Sequence, residues 1–336
     1  MIYKKFLDLN LSEIGIGTYL GNSDDTTDKN YYETIKEGLN KGINVIDTAI
    51  NYRNMRSEKL IGKVLNDFDR SKVIISTKGG YVAVPSDVEN PTEWFKNELV
   101  LTGIVDLKDI TDTGNILTEK YINWAFEKSL QNLNTDYIDI YYIHNPEDQL
   151  LKFDRDTFYK KLENVFRLLE EKRSEGKLKY YGLATWNGFR VPENHRQFLN
   201  LKDIFDIAKN VSEYNGFKFI QLPYNIAMLE AYSLKNQSLN GEKLSTFEIC
   251  EILGIYTYIS APLMQGRLIR PVNEAILERF KVNSPSLIPI QFVRSTKGVG
   301  TILIGMSKKE HLLQNLEIEK FEPLSYEEID NLINSR

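Results

Sequence analysis

The sequence contains a single cysteine, Cys250, and no long run of apolar residues among its 336 positions. One cysteine cannot close a disulfide within the chain, so nothing in the sequence calls for an oxidising compartment. Residues 1–15 lack the uninterrupted apolar core of a secretory signal peptide. No stretch approaches the roughly 20 apolar residues that a membrane span needs. We therefore expect a cytoplasmic protein without a membrane partner, in which Cys250 is a small buried apolar side chain.

Basic charge is also scarce. Lysine and arginine number 42 against 47 aspartates and glutamates, which gives a formal net charge of −5. A nucleic-acid groove requires a basic patch, and the short run "SKK" at 307–309 is too small to form one. The expected partner is a small molecule and not a nucleic acid. The sequence leaves open whether the chain is a monomer or a homo-oligomer.

A regular alternation of strand and helix patterns runs through the chain. Eight short runs rich in β-branched and aromatic residues are each followed by a segment with helical periodicity. The runs cover residues 13–17, 43–47, 72–77, 137–143, 179–184, 217–223, 255–261 and 299–305. This count and length match an α/β fold of the (β/α)₈ TIM-barrel type, with residues 1–336 as one domain. A doubly wound open sheet is the alternative.

Three segments fall outside the repeat. "YKKFLDLNL" at 3–11 predicts an N-terminal hairpin that caps the bottom of the barrel, and "SYEEIDNLINSR" at 325–336 predicts a closing helix. Residues 79–117 form a long insertion after the third strand, with no clear core helix. Loops of this length are usually functional when they are ordered. We expect a lid or substrate wall that includes Trp94, with an oligomer contact as the alternative.

Ionisable residues end three successive predicted strands. Asp47 ends the second strand, Lys78 the third and His144 the fourth, while Tyr52 follows Asp47 by five positions. Neighbouring strands lie about 5 Å apart, so these side chains are expected to converge at the barrel mouth. Each one alone has an ordinary explanation as a turn residue, a packed aromatic, a surface lysine or a structural histidine. Their occurrence together indicates a catalytic site.

The chemistry of this set is proton donation to an oxygen. A phenol has an ordinary pKa of about 10, and a nearby ammonium is expected to lower the pKa of Tyr52. Asp47 would keep Lys78 charged, and His144 would donate a hydrogen bond to a substrate oxygen. The set contains no activated serine or thiol, no metal site and no facing pair of acids. A hydride from a nicotinamide cofactor would supply the missing nucleophile.

Two features close to this set in the sequence have ordinary structural interpretations. Ser57 is predicted to be the N-cap of the helix after Tyr52, with Glu58 in its first turn. Glu147 and Asp148, in "NPEDQ", are predicted to lie in a solvated loop. They are nevertheless the only candidate acid cluster for a hydrolase on a barrel, which we keep as a further hypothesis.

Several motifs in order resemble the aldo-keto reductase superfamily, over nearly the whole chain. They are "IGIGTYLG", "GINVIDTAINYRNMRSEKLIGKVL", "VIISTKGG", "DYIDIYYIHNP" and "VGTILIGMSKKEHLLQNL". The resemblance implies an NAD(P)H-dependent oxidoreductase that reduces aldehydes or ketones to alcohols, or the reverse, on a (β/α)₈ barrel. Tyr52 would be the general acid, Lys78 and Asp47 its tuning pair, and His144 the carbonyl orienter. No G-x-G-x-x-G fingerprint of a Rossmann site is present.

The resemblance also implies which residues meet the cofactor. They are Gly17, Thr18 and Asp47 at the nicotinamide ribose; Asn145, Thr185 and Gln221 at the carboxamide; Ser260, Leu263, Gln265 and Gly266 at the pyrophosphate; Gly305, Ser307 and Lys308 at the adenosine phosphate; and Gln314 and Asn315 at the adenine. Lys308 and Lys309 favour NADP(H) over NAD(H). A loop entering a helix at this point also suits an anion, because its N–H groups are free.

Substrate contacts are expected from Tyr19, Tyr52, His144, Trp186 and Asn225. This mixture of aromatic and polar side chains suits small sugars, aldehydes and ketones alike. A non-catalytic protein on the same fold, which binds the nicotinamide cofactor for regulation or redox sensing, is the alternative function. The intact set of Asp47, Tyr52, Lys78 and His144 argues against it.

Overall fold

Eight parallel strands close into a barrel in the computed structural model, which describes residues 1–334. The barrel strands and the strands of two separate hairpins are, in chain order, β1 Tyr3–Phe6, β2 Leu9–Ser12, β3 Ile14–Gly17, β4 Val45–Asp47, β5 Ile74–Gly79, β6 Ile138–His144, β7 Leu178–Ala184, β8 Phe217–Pro223, β9 Gln237–Leu239, β10 Glu242–Leu244, β11 Tyr256–Ser260 and β12 Thr301–Gly305. Around the barrel the order is β3, β4, β5, β6, β7, β8, β11 and β12. All eight predicted strands and the (β/α)₈ fold are confirmed, and the open sheet is excluded.

Helices separate the barrel strands along the chain. They are α1 Asp25–Asn40, α2 Arg56–Leu65, α3 Pro91–Phe95, α4 Glu119–Leu133, α5 Arg155–Ser174, α6 Leu201–Val211, α7 Glu230–Ser233, α8 Thr246–Leu253, α9 Glu274–Phe280, α10 Ile288–Arg294, α11 Lys309–Leu316 and α12 Tyr326–Asn334. The helices α1, α4 and α5 are preceded by the N-caps Asp24, Thr118 and Asp154, whose side chains accept from backbone N–H groups of the first turn. These caps satisfy donors that have no partner within the helix.

The bottom of the barrel is closed by the predicted hairpin, β1 and β2. Phe6 lies between Phe219 and Tyr256, with ring centroids 5.4 and 5.2 Å away. Lys4 Nζ donates to the backbone carbonyls of Val299 and Gly300, both at 2.9 Å. This end is thus filled by aromatic side chains, which leaves the opposite end, where the strands finish, as the open mouth.

The insertion at 79–117 is ordered and contains α3, followed by a turn of π-helix at Lys96–Val100. Its two ends pair with each other, since Val82 N donates to Gly114 O at 2.9 Å and Ile116 N donates to Gly80 O at 2.6 Å. Leu99, inside the insertion, is fully buried. The lid and the oligomer contact both stay predictions.

The predicted N-cap at Ser57 is wrong. Helix α2 begins at Arg56, and the residue before it, Met55, has a left-handed backbone and provides no side-chain cap. Ser57 Oγ instead donates to Thr18 O at 2.9 Å. Glu58 is fully buried and accepts from Thr77 Oγ1 at 2.6 Å and from Asn132 Nδ2 at 2.9 Å. These two side chains therefore join α2 to the segment after β3, to β5 and to α4.

No helix within residues 1–334 combines the length and the apolar character that crossing a membrane requires.

Two barrel glycines differ in what surrounds them. A Cβ at Gly182 would overlap the backbone carbonyl of Phe219, while a Cβ at Gly15 would meet the side-chain ends of Leu303 at 2.9 Å and Val45 at 3.0 Å. Backbone in a closed barrel cannot move, whereas side-chain ends can. Gly182→Ala should therefore lower the free energy of unfolding by about 3 kcal/mol or more, and Gly15→Ala by roughly 1 kcal/mol. Urea denaturation of both variants measures this, and equal losses would contradict it.

Candidate active site

A buried ion pair between Lys78 and Asp47 lies at the centre of the barrel mouth. Lys78 Nζ is 2.6 Å from Asp47 Oδ2 and donates to Thr48 O at 2.7 Å, and the lysine side chain has no exposed surface. Asp47 Oδ1 accepts from Ser76 Oγ at 2.7 Å and from Gln221 Nε2 at 2.9 Å. Each charge is therefore hydrogen-bonded as well as paired, as a buried ion pair requires.

The pair stands beside His144 at the end of β6. Burial lowers the pKa of Lys78, and the negative charges of Asp47 and Glu58 oppose this shift. Burial, reinforced by the positive charge of Lys78, lowers the pKa of His144 well below its ordinary value. The imidazole is therefore neutral at pH 7, with one nitrogen available as a donor and the other as an acceptor.

The structure brings Tyr52 to the same place. Its ring centroid lies 4.9 Å from Lys78 Nζ and 5.8 Å from the His144 ring. Tyr19 packs edge-on against it at 5.0 Å. All four predicted catalytic residues thus lie side by side, although no catalytic role follows from proximity alone.

The expected lowering of the Tyr52 pKa is wrong for this arrangement. Burial raises the pKa of Tyr52 well above its ordinary value, and the negative charge of Asp47 raises it further. Lys78 directs its donors to Asp47 and Thr48 and stands over the ring of Tyr52. The carboxylate of Asp47 therefore offsets the positive charge of Lys78. The same carboxylate disfavours the phenolate form of Tyr52. Tyr52 is held as a protonated phenol.

The loop that carries Tyr52 has an unusual backbone. The next three residues, Arg53, Asn54 and Met55, have φ of 51°, 56° and 68°, a left-handed conformation that is strained for side-chain-bearing residues. Arg53 anchors this turn because its side chain is buried, donates from Nε to Asn22 O at 2.8 Å and pairs with Asp28. The anchored turn orients Tyr52 towards the mouth.

The residues assigned to the nicotinamide end gather around the ion pair. Gly17 lies opposite Asp47 in the β3–β4 pairing, and Thr18 N donates to Asp47 O at 3.1 Å. The Thr185 hydroxyl and His144 Nδ1 are buried and, among residues 1–334, have no hydrogen-bond partner. Burying a polar atom without a hydrogen-bond partner costs free energy. These two atoms therefore indicate that a polar ligand binds in the mouth.

The residues assigned to the phosphate end lie at the ends of β11 and β12 or just after them. The loop of Ser260, Leu263, Gln265 and Gly266 contains several residues with left-handed backbone, including Gln265 at φ 56° and Gly266 at φ 85°. Gly305 and Ser307 lead into α11, whose first turn has no side-chain cap. Its N–H groups are therefore free for an anion.

Three further predicted residues lie on α11 or at its start. Lys308 and Gln314 are exposed, whereas Asn315 retains only 5 % of its surface. The structure therefore leaves the Lys308 ammonium and the Gln314 amide open to a ligand, and Asn315 much less so. Their contacts with the cofactor stay predictions.

The predicted substrate residues fall into two groups, those that are exposed at the mouth and those that are engaged within the protein. Tyr19 and Trp186 are 59 % and 50 % exposed at the mouth. Asn225 is fully buried, and its amide is used within the protein, since Nδ2 donates to Ala261 O at 2.9 Å. Trp94 packs on Trp124 of α4, with ring centroids 6.3 Å apart. Asn225 and Trp94 are thus not brought into contact with the catalytic four.

The predicted solvated loop after His144 is wrong. Glu147 is 1 % exposed, and its Oε1 accepts from the backbone N–H groups of Trp186 at 2.7 Å, Asn187 at 2.9 Å and Gly188 at 3.2 Å. Burial raises the pKa of Glu147 to about 7, and the three backbone donors oppose this. The carboxyl ties the loop that follows β7 to the end of β6.

Asp148 is also buried and serves a second set of donors. It accepts from Tyr81 Oη at 2.7 Å, from Thr113 Oγ1 at 2.8 Å and from Gln197 Nε2 at 2.8 Å. The two acids therefore hold separate networks and do not form the facing pair of a hydrolase. Sequence patterns missed Tyr81 and placed Asp148 in a solvated loop, because the only signal of a role in the site is that each lies a few residues beyond a predicted catalytic residue.

A family model agrees with this arrangement. The model of the aldo/keto reductase family matches residues 13–334. The chain belongs to that family. The resemblance found in the sequence motifs is thereby confirmed for this aldo/keto reductase.

Named relatives of this aldo/keto reductase differ in function. It is 26 % identical over 266 residues to the NADH-specific methylglyoxal reductase of Escherichia coli (78 % of this chain, 66 % of the other). It is 23 % identical over 351 residues to a putative voltage-gated potassium channel subunit beta of Schizosaccharomyces pombe (97 % and 91 %). A crystal structure of an aldo/keto reductase from Klebsiella pneumoniae in complex with NADP and acetate has the same fold, with a TM-score of 0.65, 20 % identity and coverage of 97 % and 92 %.

Glu147 gives this aldo/keto reductase a defined pH dependence of stability. Between its ordinary pKa of 4.5 and its raised pKa of about 7, the folded protein holds a proton that the unfolded chain has released. The stabilising contribution of Glu147 is therefore complete below pH 4.5. Its loss as the pH rises to 7 should lower the free energy of unfolding by about 3 kcal/mol in all. Glu147→Gln should remove this slope in urea denaturation between pH 5 and 8. Glu213→Gln, at an exposed position, serves as control, and an unchanged slope in Glu147→Gln would contradict the assignment.

Proposed function

We propose that this protein is an NAD(P)H-dependent carbonyl reductase, which reduces aldehydes or ketones to alcohols or catalyses the reverse reaction. The observation that carries the proposal is the convergence of Tyr52, Lys78, Asp47 and His144 at the barrel mouth. Membership of the aldo/keto reductase family supports it independently. A bound nicotinamide would supply the hydride, and every other requirement falls on residues of this chain.

Tyr52 is the proton donor in this proposal. Its raised pKa keeps the phenol protonated at neutral pH, which is the state needed to give a proton to a carbonyl oxygen. As the proton leaves, the ammonium of Lys78, which lies 4.9 Å from the centre of the Tyr52 ring, would stabilise the phenolate that forms. Asp47 holds the ammonium in place at 2.6 Å.

His144 orients the substrate. Its neutral imidazole can donate one hydrogen bond to the carbonyl oxygen without competing for the proton. The exposed rings of Tyr19 and Trp186 stand at the rim and contact the rest of the substrate. The mixture of aromatic and polar side chains at this rim suits small aldehydes, ketones and sugars.

The residues present fit a nicotinamide dinucleotide along the path from the ion pair to α11. The Thr185 hydroxyl, which has no partner within residues 1–334, and Asn145 would hold its carboxamide, and the start of α11, which has no side-chain cap, would hold its adenosine phosphate. We propose NADP(H) as the preferred form, because Lys308 is exposed beside that helix start. Lys309 contributes less, since its ammonium already pairs with Glu37 at 2.9 Å.

Replacing Tyr52 with phenylalanine tests the proton donor. Tyr52→Phe should lower kcat for a panel of aldehydes by about 100-fold or more, because the general acid is lost. Binding of NADPH, followed by tryptophan fluorescence, should be nearly unchanged, since the ring is retained. Tyr214→Phe, at an 84 % exposed position, is the matched control. Wild-type turnover in Tyr52→Phe would refute the assigned role.

Replacing Lys308 with alanine tests the cofactor preference. The Kd for NADPH should rise by about tenfold, the effect of losing one charge-assisted hydrogen bond, while the Kd for NADH stays nearly constant. Lys309→Ala provides the neighbouring comparison and should have a smaller effect. Equal weakening of NADPH and NADH by Lys308→Ala would argue against recognition of the 2′-phosphate.

Similarity to the fission yeast channel subunit favours a second candidate, a regulatory protein that binds the cofactor without turnover. The two functions are separated by mixing the protein with NADPH and the aldehyde panel and following nicotinamide absorbance. Loss of absorbance supports the reductase. Tight binding of NADPH without any loss supports the regulatory function.

A further inference from the structure

Tyr81 lies three residues beyond Lys78, in the first part of the insertion, and contacts His144, which ends β6, and Asn145, which follows it. Its hydroxyl donates to Asp148 Oδ2 at 2.7 Å and accepts from Asn145 Nδ2 at 3.0 Å. Its ring stands edge-on to His144, with centroids 5.0 Å apart. One side chain thus connects the catalytic histidine, its neighbour Asn145 and a buried acid.

The direction of these hydrogen bonds is determined by the acid. A tyrosine hydroxyl carries one hydrogen, and a carboxylate can only accept. Burial and the hydrogen bond to Asp148 raise the pKa of Tyr81, so the phenol keeps that hydrogen. The hydrogen therefore points to Asp148, and the lone pairs of the hydroxyl face Asn145. Only the NH₂ end of the Asn145 amide can meet them.

The other end of the same amide is left open. Asn145 Oδ1 accepts no hydrogen bond from any residue in the described part of the chain, 1–334, and the side chain is half-buried at the mouth. The backbone of Asn145 is left-handed at φ 42° and is held by Asn115, whose Nδ2 donates to the carbonyls of His144 at 2.8 Å and Asn145 at 3.3 Å. The amide therefore has one orientation and one free acceptor.

We propose that Tyr81 and Asp148 are positioning residues that hold Asn145 with Oδ1 facing the nicotinamide, so that the site selects a ring whose carboxamide presents an N–H donor. The inference rests on the proposed function, since it concerns the same cofactor site. It gives the two ends of the insertion a role, because Tyr81, Thr113 and Asn115 all belong to residues 79–117 and all bind the segment after β6. The insertion is a brace for the carboxamide site.

The experiment compares whole cofactors with fragments that lack the nicotinamide. Kd values are measured by calorimetry for NADPH and for 2′-phospho-ADP-ribose, in wild type, Tyr81→Phe and Asp148→Asn. Both variants should bind NADPH about tenfold more weakly, the effect of one hydrogen bond, and should bind the fragment as wild type does. Tyr32→Phe is the matched control, since Tyr32 donates to Asp67 at 2.7 Å on the outside of the barrel.

A second readout tests the orientation of the amide. The 3-acetylpyridine analogue of NADP⁺ has a methyl ketone in place of the carboxamide and so presents no N–H donor. Wild type should bind NADP⁺ more tightly than this analogue by about tenfold, and Tyr81→Phe should abolish the difference. A merely structural defect would weaken both ligands equally and keep their ratio.

The outcomes separate the two proposals. If wild type binds NADPH and the Tyr81→Phe variant binds it equally well, or loses the fragment to the same extent, the positioning role is overturned and the reductase function stands. If wild type binds neither NADPH nor NADH, the proposed function fails and the positioning role fails with it. Thermal unfolding of each variant identifies a loss that comes from misfolding, and Tyr81→Phe decides the matter if Asp148→Asn does not fold.

Discussion

The ion pair of Lys78 and Asp47 is the constraint on which the barrel mouth depends. Removing two charges from water costs several kcal/mol per ion, so the pair is tolerable only if its remaining donors and acceptors are satisfied. Thr48, Ser76 and Gln221 provide those partners, and they come from the β4–α2 loop, from β5 and from β8. The closed barrel is therefore what makes the pair possible, because only closure brings β8 across from β4.

Burial sets the protonation of the neighbouring groups, and the pair reinforces it. Burial raises the pKa of Tyr52 and lowers the pKa of His144. The charge of Asp47 adds to the first shift, and the charge of Lys78 adds to the second. The outcome is a protonated phenol next to a neutral imidazole, two hydrogen-bond donors without a net charge, beside an ammonium that is already paired. Such a site is prepared for a neutral carbonyl compound on which charge appears only during reaction.

Local patterns in the sequence predicted the eight strands, the bottom hairpin and the closing helix, since periodicity and turn residues depend on near neighbours. Wrong predictions arose wherever distant partners decide. Ser57 resembles an N-cap, but the carbonyl of Thr18, just after β3, lies close enough to accept its hydrogen bond. Glu147 resembles a solvated acid, but the loop after β7 folds over it and supplies three N–H groups. The pKa of Tyr52 depends first on its burial and then on the charge of Asp47, and packing decides both.

By itself, the sequence determined the order of the elements and the residue types at the strand ends. Asp47, Lys78 and His144 follow apolar strands, and Tyr52 follows the first of them, so their meeting at one end was predictable from the parallel geometry of a barrel. Only the tertiary structure decided how each group is charged and which way its hydrogen bonds run. Asn145 shows the reason. Its amide has two ends of similar shape, and the hydrogen bonds of Tyr81 decide which end faces the Tyr81 hydroxyl. The fold brings Tyr81 to Asn145 from 64 positions earlier in the sequence, and Asp148, in the next turn of the chain, holds the hydrogen of that hydroxyl.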